Sequence, residues 1–294
     1  MPVRRVGRGG FTLQNGFDTL PWMPHAAAPF RIQDISSREN RWLKRFRAAL
    51  RSERPDDDGY LALEGAKLVA DALRAGASVR AVLVSAAGER HLSSLHATPL
   101  ESAQVLRVPD SLFAAVTGTE TAQGIAALLR PHQHRLEDMA GTGNPLIVVL
   151  VGVQDPGNVG TIVRSAEAFG ASGVIATRGT AHPLSAKALR ASAGSALRVA
   201  LVHGLAPSVA LTQLRVYGVK TCAASLARGV EPAAADLRGS CALLIGNEGA
   251  GLAPDVERSA DAAIRIPLHD GVDSLNAAMA ATVLLYEAAR QRRA

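Results

Sequence analysis

Five side chains with useful polar chemistry stand in three short segments of the second half of the chain. Asn158 and Arg164 lie in VGVQDPGNVGTIVRSAEAFGA (151–171), Glu248 in CALLIGNEGAGL (241–252), and Ser274 and Asn276 in IRIPLHDGVDSLNAAMAA (264–281). In each segment an apolar run gives way to a turn. Asp155-Pro156-Gly157-Asn158 is strong turn chemistry, and Asn158 or a neighbour is placed to cap the helix that follows. Arg164 has two readings: an exposed helix arginine, or a guanidinium that holds a phosphate or polarises a hydroxyl. The glycines at 246, 249 and 251 let backbone come close to a ligand. Glu248 among them is either an exposed loop carboxylate or a group that orients a reacting atom. Ser274 is a natural N-cap. Asn276, on the first turn of the last helix, has an amide free for a neighbouring turn or a substrate.

Turns of this kind need strands that end together. LIVVLV (146–151) is a continuous apolar run suited to a parallel strand buried on both faces. GVIA (173–176), RVALVH (198–203), VYGVKTCAA (216–224), CALLIG (241–246) and IRIP (264–267) are further strand candidates. Helical segments separate most of them, the first over 158–169, which predicts a parallel α/β sheet. Ligands of open α/β sheets bind at the carboxyl ends of strands, where all three turns fall. SLNAAMAATVLLYEAARQRR (274–293) reads as one helix with Leu275, Ala278, Met279, Thr282, Leu285, Tyr286 and Ala289 along its apolar stripe. The dinucleotide fingerprint GxGxxG is absent, because the glycines do not have that spacing.

The first half reads as a smaller α/β unit over 36–130. SRENRWLKRFRAAL (37–50) predicts a basic helix with Trp42, Phe46 and Ala49 on one face. Its Arg38, Arg41, Lys44, Arg45 and Arg47 form either a solvated face or a contact for RNA. YLALEG, VRAVLVS, VLRV and GIAALLR read as strands, with AKLVADALRAG and PDSLFAAV as helices between them. Residues 1–35 read as a basic extension, and the polar PHQHRLEDMAGTGNP (131–145) as a linker to the domain at 146–294.

Composition narrows the function classes. The 294 residues are 48% hydrophobic and 20% charged, enough to build a core, and the net charge of +6 favours a polyanionic partner without establishing one. Cys222 and Cys241 sit in apolar segments and read as reduced, buried thiols. No Cys/His cluster suggests a metal site. No apolar run reaches the ~18 residues of a membrane span, and the arginines at the start lack the apolar run of a secretory signal. A cytoplasmic protein without a metal is expected.

Taken in order, NVGTIVRSAEAFGASGV, LLIGNEGAGL and IPLHDGVDSLNAAMAATVLLYEAARQR resemble the three motifs of the SpoU (TrmH-type) branch of the SPOUT methyltransferases, from about Pro145 to Arg293. The preceding segment is similar to the substrate-binding domain often fused in front, with a ribosomal-protein-like α/β fold. ENRWLKRF, YLALEGAKLVADAL and VTGTETAQGIAALL carry that likeness. The resemblance implies a C-terminal parallel sheet tied in a deep trefoil knot that holds S-adenosylmethionine, and a homodimer with the last helix in its interface. It implies methyl transfer to a ribose 2′-hydroxyl in RNA, ribosomal RNA ahead of tRNA. On this likeness Asn158, Arg164, Glu248, Ser274 and Asn276 surround the reaction. Gly246, Ile266 and Leu275 line the cofactor pocket, with Leu244, Asn247, Gly249 and Pro267 beside them. Asp270 stands where many relatives have glycine, with Gly271 next to it. The alternative is an RNA-binding or ribosome-assembly factor that keeps the fold without turnover. A nucleotide-dependent oxidoreductase lacks its glycine signature.

Overall fold

The computed structural model describes residues 32–95, 103–119, 123–141 and 143–293. The extension expected over 1–35 lies outside them except at its end. There Ile32–Asp34 forms β1, an edge strand parallel to β4 (Gln104–Arg107), and Ile35 is buried. The first domain therefore begins a few residues earlier than the composition suggested.

That domain is a five-stranded mixed sheet in the order β1-β4-β3-β5-β2, with β2 at Leu61–Glu64, β3 at Ser78–Val84 and β5 at Ile125–Arg130. One face is covered by α1 (Arg41–Arg51) and α4 (Asp110–Thr117), which bury Trp42, Leu43, Phe46, Leu112 and Phe113. The other face carries α2 (Ala66–Arg74) and α3 (Glu89–Leu95). Asn40 starts α1, its side-chain oxygen accepting the N–H of Trp42.

The linker is only partly a linker. Leu136–Ala140 forms a short helix, α5, that buries Leu136, Met139 and Ala140 against the second sheet. That sheet has six parallel strands in the order β11-β9-β10-β6-β7-β8. They are β6 (Leu146–Leu150), β7 (Gly173–Ala176), β8 (Leu201–His203), β9 (Lys220–Ala224), β10 (Cys241–Ile245) and β11 (Ala262–Ile264). Helices α6 (Pro156–Ala168), α7 (Ala186–Ala191) and α10 (Ala277–Arg293) cover one face; α8 (Pro207–Val216) and α9 (Pro254–Ser259) join α5 on the other.

Two strand boundaries differ from expectation for local reasons. Residues 216–219 end α8 rather than begin a strand: Gly218 takes a left-handed φ of 68° and the N–H of Val219 closes back on Leu214. The last strand stops at Ile264, where its pairing passes from Ala224 to a single parallel bridge with Val230, whose carbonyl takes the N–H of Arg265.

The two domains share one apolar core, in which Val69, Leu73 and Leu129 belong to the same cluster as Leu150, Ile162 and Leu189. A charged clamp adds to it. Asp71 on α2, only 3% exposed, accepts Arg198 at 2.7 Å, and the same guanidinium reaches Glu167 on α6 at 2.6 Å.

Candidate active site

Strands β6 and β10 are neighbours in register, Ile245 opposite Leu150, so the turns that follow them leave the sheet side by side. The β6 turn leads into α6 through Asp155, whose carboxylate accepts the N–H of Gly157 while Pro156 opens the helix. Lys187 on α7 holds that carboxylate at 2.6 Å and, with the Gly157 N–H, keeps Asp155 below the usual carboxylate range. Asp155, not Asn158, is the cap, which leaves the Asn158 amide free for other contacts.

The β10 turn closes on itself. Asn247 and Gly251 exchange backbone hydrogen bonds at 2.9 and 3.0 Å, and the Asn247 oxygen accepts from the N–H groups of Gly249 and Ala250. A Cβ on Gly246 would stand 2.3 Å from the Gly251 carbonyl carbon, so only glycine fits. The Asn247 amide donates to the Gly152 carbonyl and ties the two turns together.

Glu248 is aimed across that junction. Its carboxylate accepts the N–H groups of Gln154 and Asp155, both at 3.3 Å, and the Asn158 amide at 2.9 Å. Burial pushes its pKa up, but these donors outweigh burial and leave it below the ordinary value of 4.5. Asn158 in turn accepts from the Asn276 amide at 3.0 Å. Asn276 then caps α10, its oxygen accepting the N–H groups of Ala278 and Met279. One line of hydrogen bonds, Glu248–Asn158–Asn276, thus joins all three sequence segments.

The cap of α10 was expected at Ser274. The helix begins at Ala277 instead, and Ser274 sits in the loop before it. The buried side of α10 carries Ala277, Ala278, Ala281, Leu284, Leu285, Ala288 and Ala289; Met279 and Tyr286, expected in the apolar stripe, are 63% and 56% exposed. Arg164 is not drawn into the bonded line. It lies six residues beyond Asn158, ~120° around the helix at ~100° per residue. It is exposed, and among the described residues its side chain has no hydrogen bond or ion pair.

Beside the bonded line is a cavity of about 220 Å³ whose wall includes Gly246, Asn247, Glu248, Gly249, Ile266, Ser274 and Leu275. Leu244 and Pro267 are not part of that wall. In extended chain successive side chains point to opposite sides. Ile245 faces the cavity while Leu244 is fully buried in the core of the other face, and Ile266 and Leu268 flank Pro267 in the same way. Sequence reasoning missed Ser225 and Leu226 after β9, and Asp273. Their signal was the end of a strand, but only the sheet order puts β9 next to β10.

The candidate RNA contacts on and before α1 divide. Arg45 is bound to Asp56 and Asp58 at 2.7 and 3.3 Å and lies over the Tyr60 ring, so its charge is used within the domain. Lys44 pairs with Glu39 at 2.6 Å on the surface. Arg41 lies over the Trp42 ring, and Arg38 has no side-chain partner among the described residues.

Comparison with known proteins identifies the family. Residues 145–286 match the SpoU rRNA Methylase family, and residues 43–127 match the MRM3-like substrate binding domain. The chain is 33% identical over 256 residues to the 23S rRNA (guanosine(2553)-2′-O)-methyltransferase RlmP of Bacillus subtilis, covering 87% of this chain and 98% of that protein. It superposes with a TM-score of 0.78 on an AdoMet-bound rRNA methyltransferase from Sinorhizobium meliloti, 31% identical, covering 88% of this chain and 98% of the other. The cofactor complex of the SpoU methyltransferase AviRb from Streptomyces viridochromogenes is 25% identical with a TM-score of 0.76, covering 86% of this chain and 99% of that one. Likeness of this extent, in sequence and fold and across both domains, means that the chain belongs to the SpoU rRNA methylase family.

Proposed function

We propose that the protein is an S-adenosylmethionine-dependent RNA 2′-O-ribose methyltransferase acting on ribosomal RNA. The observation that carries this reading is the Glu248–Asn158–Asn276 line beside the cavity. Its members come from three distant segments, and their bonding fixes the β6 and β10 turns and the start of α10 around that cavity. This argues against the silent RNA-binding factor.

The cavity suits the cofactor. Ile245, Ile264, Ile266, Leu268 and Leu275 give apolar walls for an adenine ring, and Asp273 and Ser274 add polar groups at the edge. Among the described residues, the backbone N–H groups of Ile266, Leu268 and Leu275 donate to no protein acceptor. They are free to read a base edge. The bound cofactor supplies an activated sulfonium methyl, so the chain has to orient the ribose hydroxyl and ease loss of its proton.

Glu248 is the wrong group for that proton, since its oxygens are occupied by four donors, the Asn247 amide at 3.4 Å being the fourth. Asn158 and Asn276 hold the loops in register. Ser274 borders the cavity and, among the described residues, its side chain has no hydrogen-bond partner. Arg164 has a free guanidinium. An arginine is a poor base because a guanidinium gives up its proton far less readily than other side chains. Arg164 is therefore assigned electrostatic help, gripping a phosphate or the developing alkoxide; a deprotonated Arg164 acting as base is the rival account.

Met279, Val283 and Tyr286 are exposed at helical spacing along α10. They support a homodimer built on this face, which would bring a second chain up to α6 and α10. Among the described residues no helix is long and apolar enough to cross a membrane. That fits the cytoplasmic setting in which we place the enzyme.

The test is transfer of a labelled methyl group from S-adenosylmethionine to ribosomal RNA, with the product mapped for 2′-O-methylation. Label on one rRNA ribose supports the reading. Label on tRNA alone would move the substrate assignment. No label on either RNA, from a protein that binds the cofactor, would return the chain to the silent class.

A further inference from the structure

The cavity beside the bonded line has a charge pattern opposite to that of the chain. The protein carries a net charge of +6. Yet among the described residues the wall of this cavity of about 220 Å³ holds two carboxylates, Glu248 and Asp273, and no lysine, arginine or histidine. Glu248 is bonded only by neutral groups: the N–H groups of Gln154 and Asp155 and the amides of Asn158 and Asn247. Lys187, which reaches the same turn, is held by Asp155 at 2.6 Å. Asp273 has no side-chain hydrogen bond or ion pair among the described residues. Arg265 stands between the wall residues Ile264 and Ile266 but is not in the wall, as expected where successive side chains point to opposite sides. A pocket with apolar walls and charge of one sign concentrates its field on the ligand.

Local structure sets Asp273 on the rim. The N–H of Val272 closes on the His269 carbonyl at 3.1 Å, with Gly271 at a left-handed φ of 85°. Three residues beyond Asp273, Asn276 caps α10 and bonds to Asn158. The carboxylate lies between these two anchors, exposed and unpaired, so the fold gains nothing from it. A ligand that loses positive charge in the reaction gives it a use. S-adenosylmethionine carries a sulfonium and an ammonium against a single carboxylate. Methyl transfer forms the bond to the ribose oxygen, breaks the bond to sulfur and releases the hydroxyl proton. The thioether product has no net charge.

We propose that Asp273 is a specificity-determining residue that reads cofactor charge: beside Glu248 it makes the cavity wall negative, which favours the cationic cofactor over its neutral product and promotes exchange after turnover. The proposal rests on the methyltransferase reading. An exposed carboxylate is screened by water, so its share is about five- to tenfold in affinity for a cationic ligand. Glu248 contributes to the same field, but its removal also loosens the turns, so Asp273 is the residue on which charge can be tested by itself.

The experiment is calorimetry of wild type, Asp273→Asn and Asp273→Glu with three probes at low and high salt. The probes are S-adenosylmethionine, S-adenosylhomocysteine and sinefungin, in which an amine-bearing carbon replaces the sulfonium. Asp273→Asn should bind the two cationic probes about five- to tenfold more weakly at low salt, with less difference at high salt, and leave S-adenosylhomocysteine unchanged. Asp273→Glu, which restores the charge, should regain most of the lost affinity. An equal fall for all three probes would make Asp273 a contact to their shared adenosine part and overturn charge selection. Unchanged affinities for all three would overturn it too. In both cases the methyltransferase reading stands, because wild type still binds the cofactor. If wild type binds none of the probes and methylates no RNA, both readings fall together.

Discussion

Glu248 looks, in a list of residues, like a general base. Its surroundings make it a brace. Two backbone N–H groups and the Asn158 amide occupy its oxygens. Glu248→Gln replaces one acceptor by a donor that faces other donors. The expected cost is ~1–3 kcal/mol in the order of the β6 and β10 turns, seen as roughly ten- to hundredfold weaker cofactor binding in calorimetry, with the fold retained by circular dichroism. The pH dependence follows from the direction of its shift. A folded-state pKa below 4.5 means that the brace stabilises fully above the ordinary carboxylate range and is lost only as pH falls through the lower, folded value. Cofactor binding should therefore stay flat down to about pH 4.5; a drop centred near neutral pH would point to another group.

Arg164 is the reverse case, a residue the fold does not use. Arg164→Lys should keep cofactor affinity and stability while single-turnover methyl transfer falls ~10²–10³-fold. Near-normal turnover would sink both the electrostatic and the general-base accounts. At this scale the sequence was most readable at glycines and charged groups, whose types admit few environments. It was least readable at Ser274-Leu275-Asn276, where two of three residues are competent caps. The choice between them depends on where the incoming loop turns, and the side chains do not encode that.

The elements were legible wherever an apolar run was long and its ends were punctuated. β6 and β10, buried on both faces, match the expected LIVVLV and CALLIG runs to within a residue at either end. α10 was legible as a helix but not in its facing. Its alanines pack against the sheet together with Leu284 and Leu285, while Met279, Val283 and Tyr286 turn outward. Its far end is fixed by Arg292. That guanidinium donates to the carbonyls of Leu237, Asn144, Pro145 and Gly239, and Gln291 adds bonds to Pro232 and Ala235. The end of the chain thereby fastens the loops before β6 and before β10. Arg292→Ala should leave the part-buried carbonyls of Leu237 and Pro145 without that donor and cost ~2–4 kcal/mol, read as a lowered midpoint in denaturant unfolding with an unchanged m-value.

For the whole molecule, the division into two α/β units was readable from the polar stretch at 131–145, yet their union was not. Nothing in a linear pattern says that Leu73 and Leu189 belong to one core, or that part of the linker is a docked helix. Long-range packing of this kind depends on sheet order, which local spacing does not record. The same holds for the outward face of α10. With Met279, Val283 and Tyr286 exposed together, the proposed dimer should dissociate in a Met279→Asp/Tyr286→Glu variant. Light scattering after size exclusion should give about half the wild-type mass, and turnover should fall with it if a second chain completes the site. A wild-type protein that runs as a monomer at all concentrations would remove the dimer from the account.

The Asp71–Arg198–Glu167 clamp bears on how freely the two halves can be recombined. A substrate-binding domain that can be exchanged like a cartridge would meet its partner through solvent and a loose tether. Here the α2 carboxylate is buried and completes an arginine whose other partner is on the very helix that carries Arg164. A chimera that brings in a foreign first domain without an acid at position 71 would leave the Arg198 guanidinium with Glu167 as its one acid partner and the seam without its charged tie. Retargeting this enzyme to a new RNA is therefore a matter of transplanting a matched pair of surfaces, with Asp71 travelling alongside whatever reads the sequence.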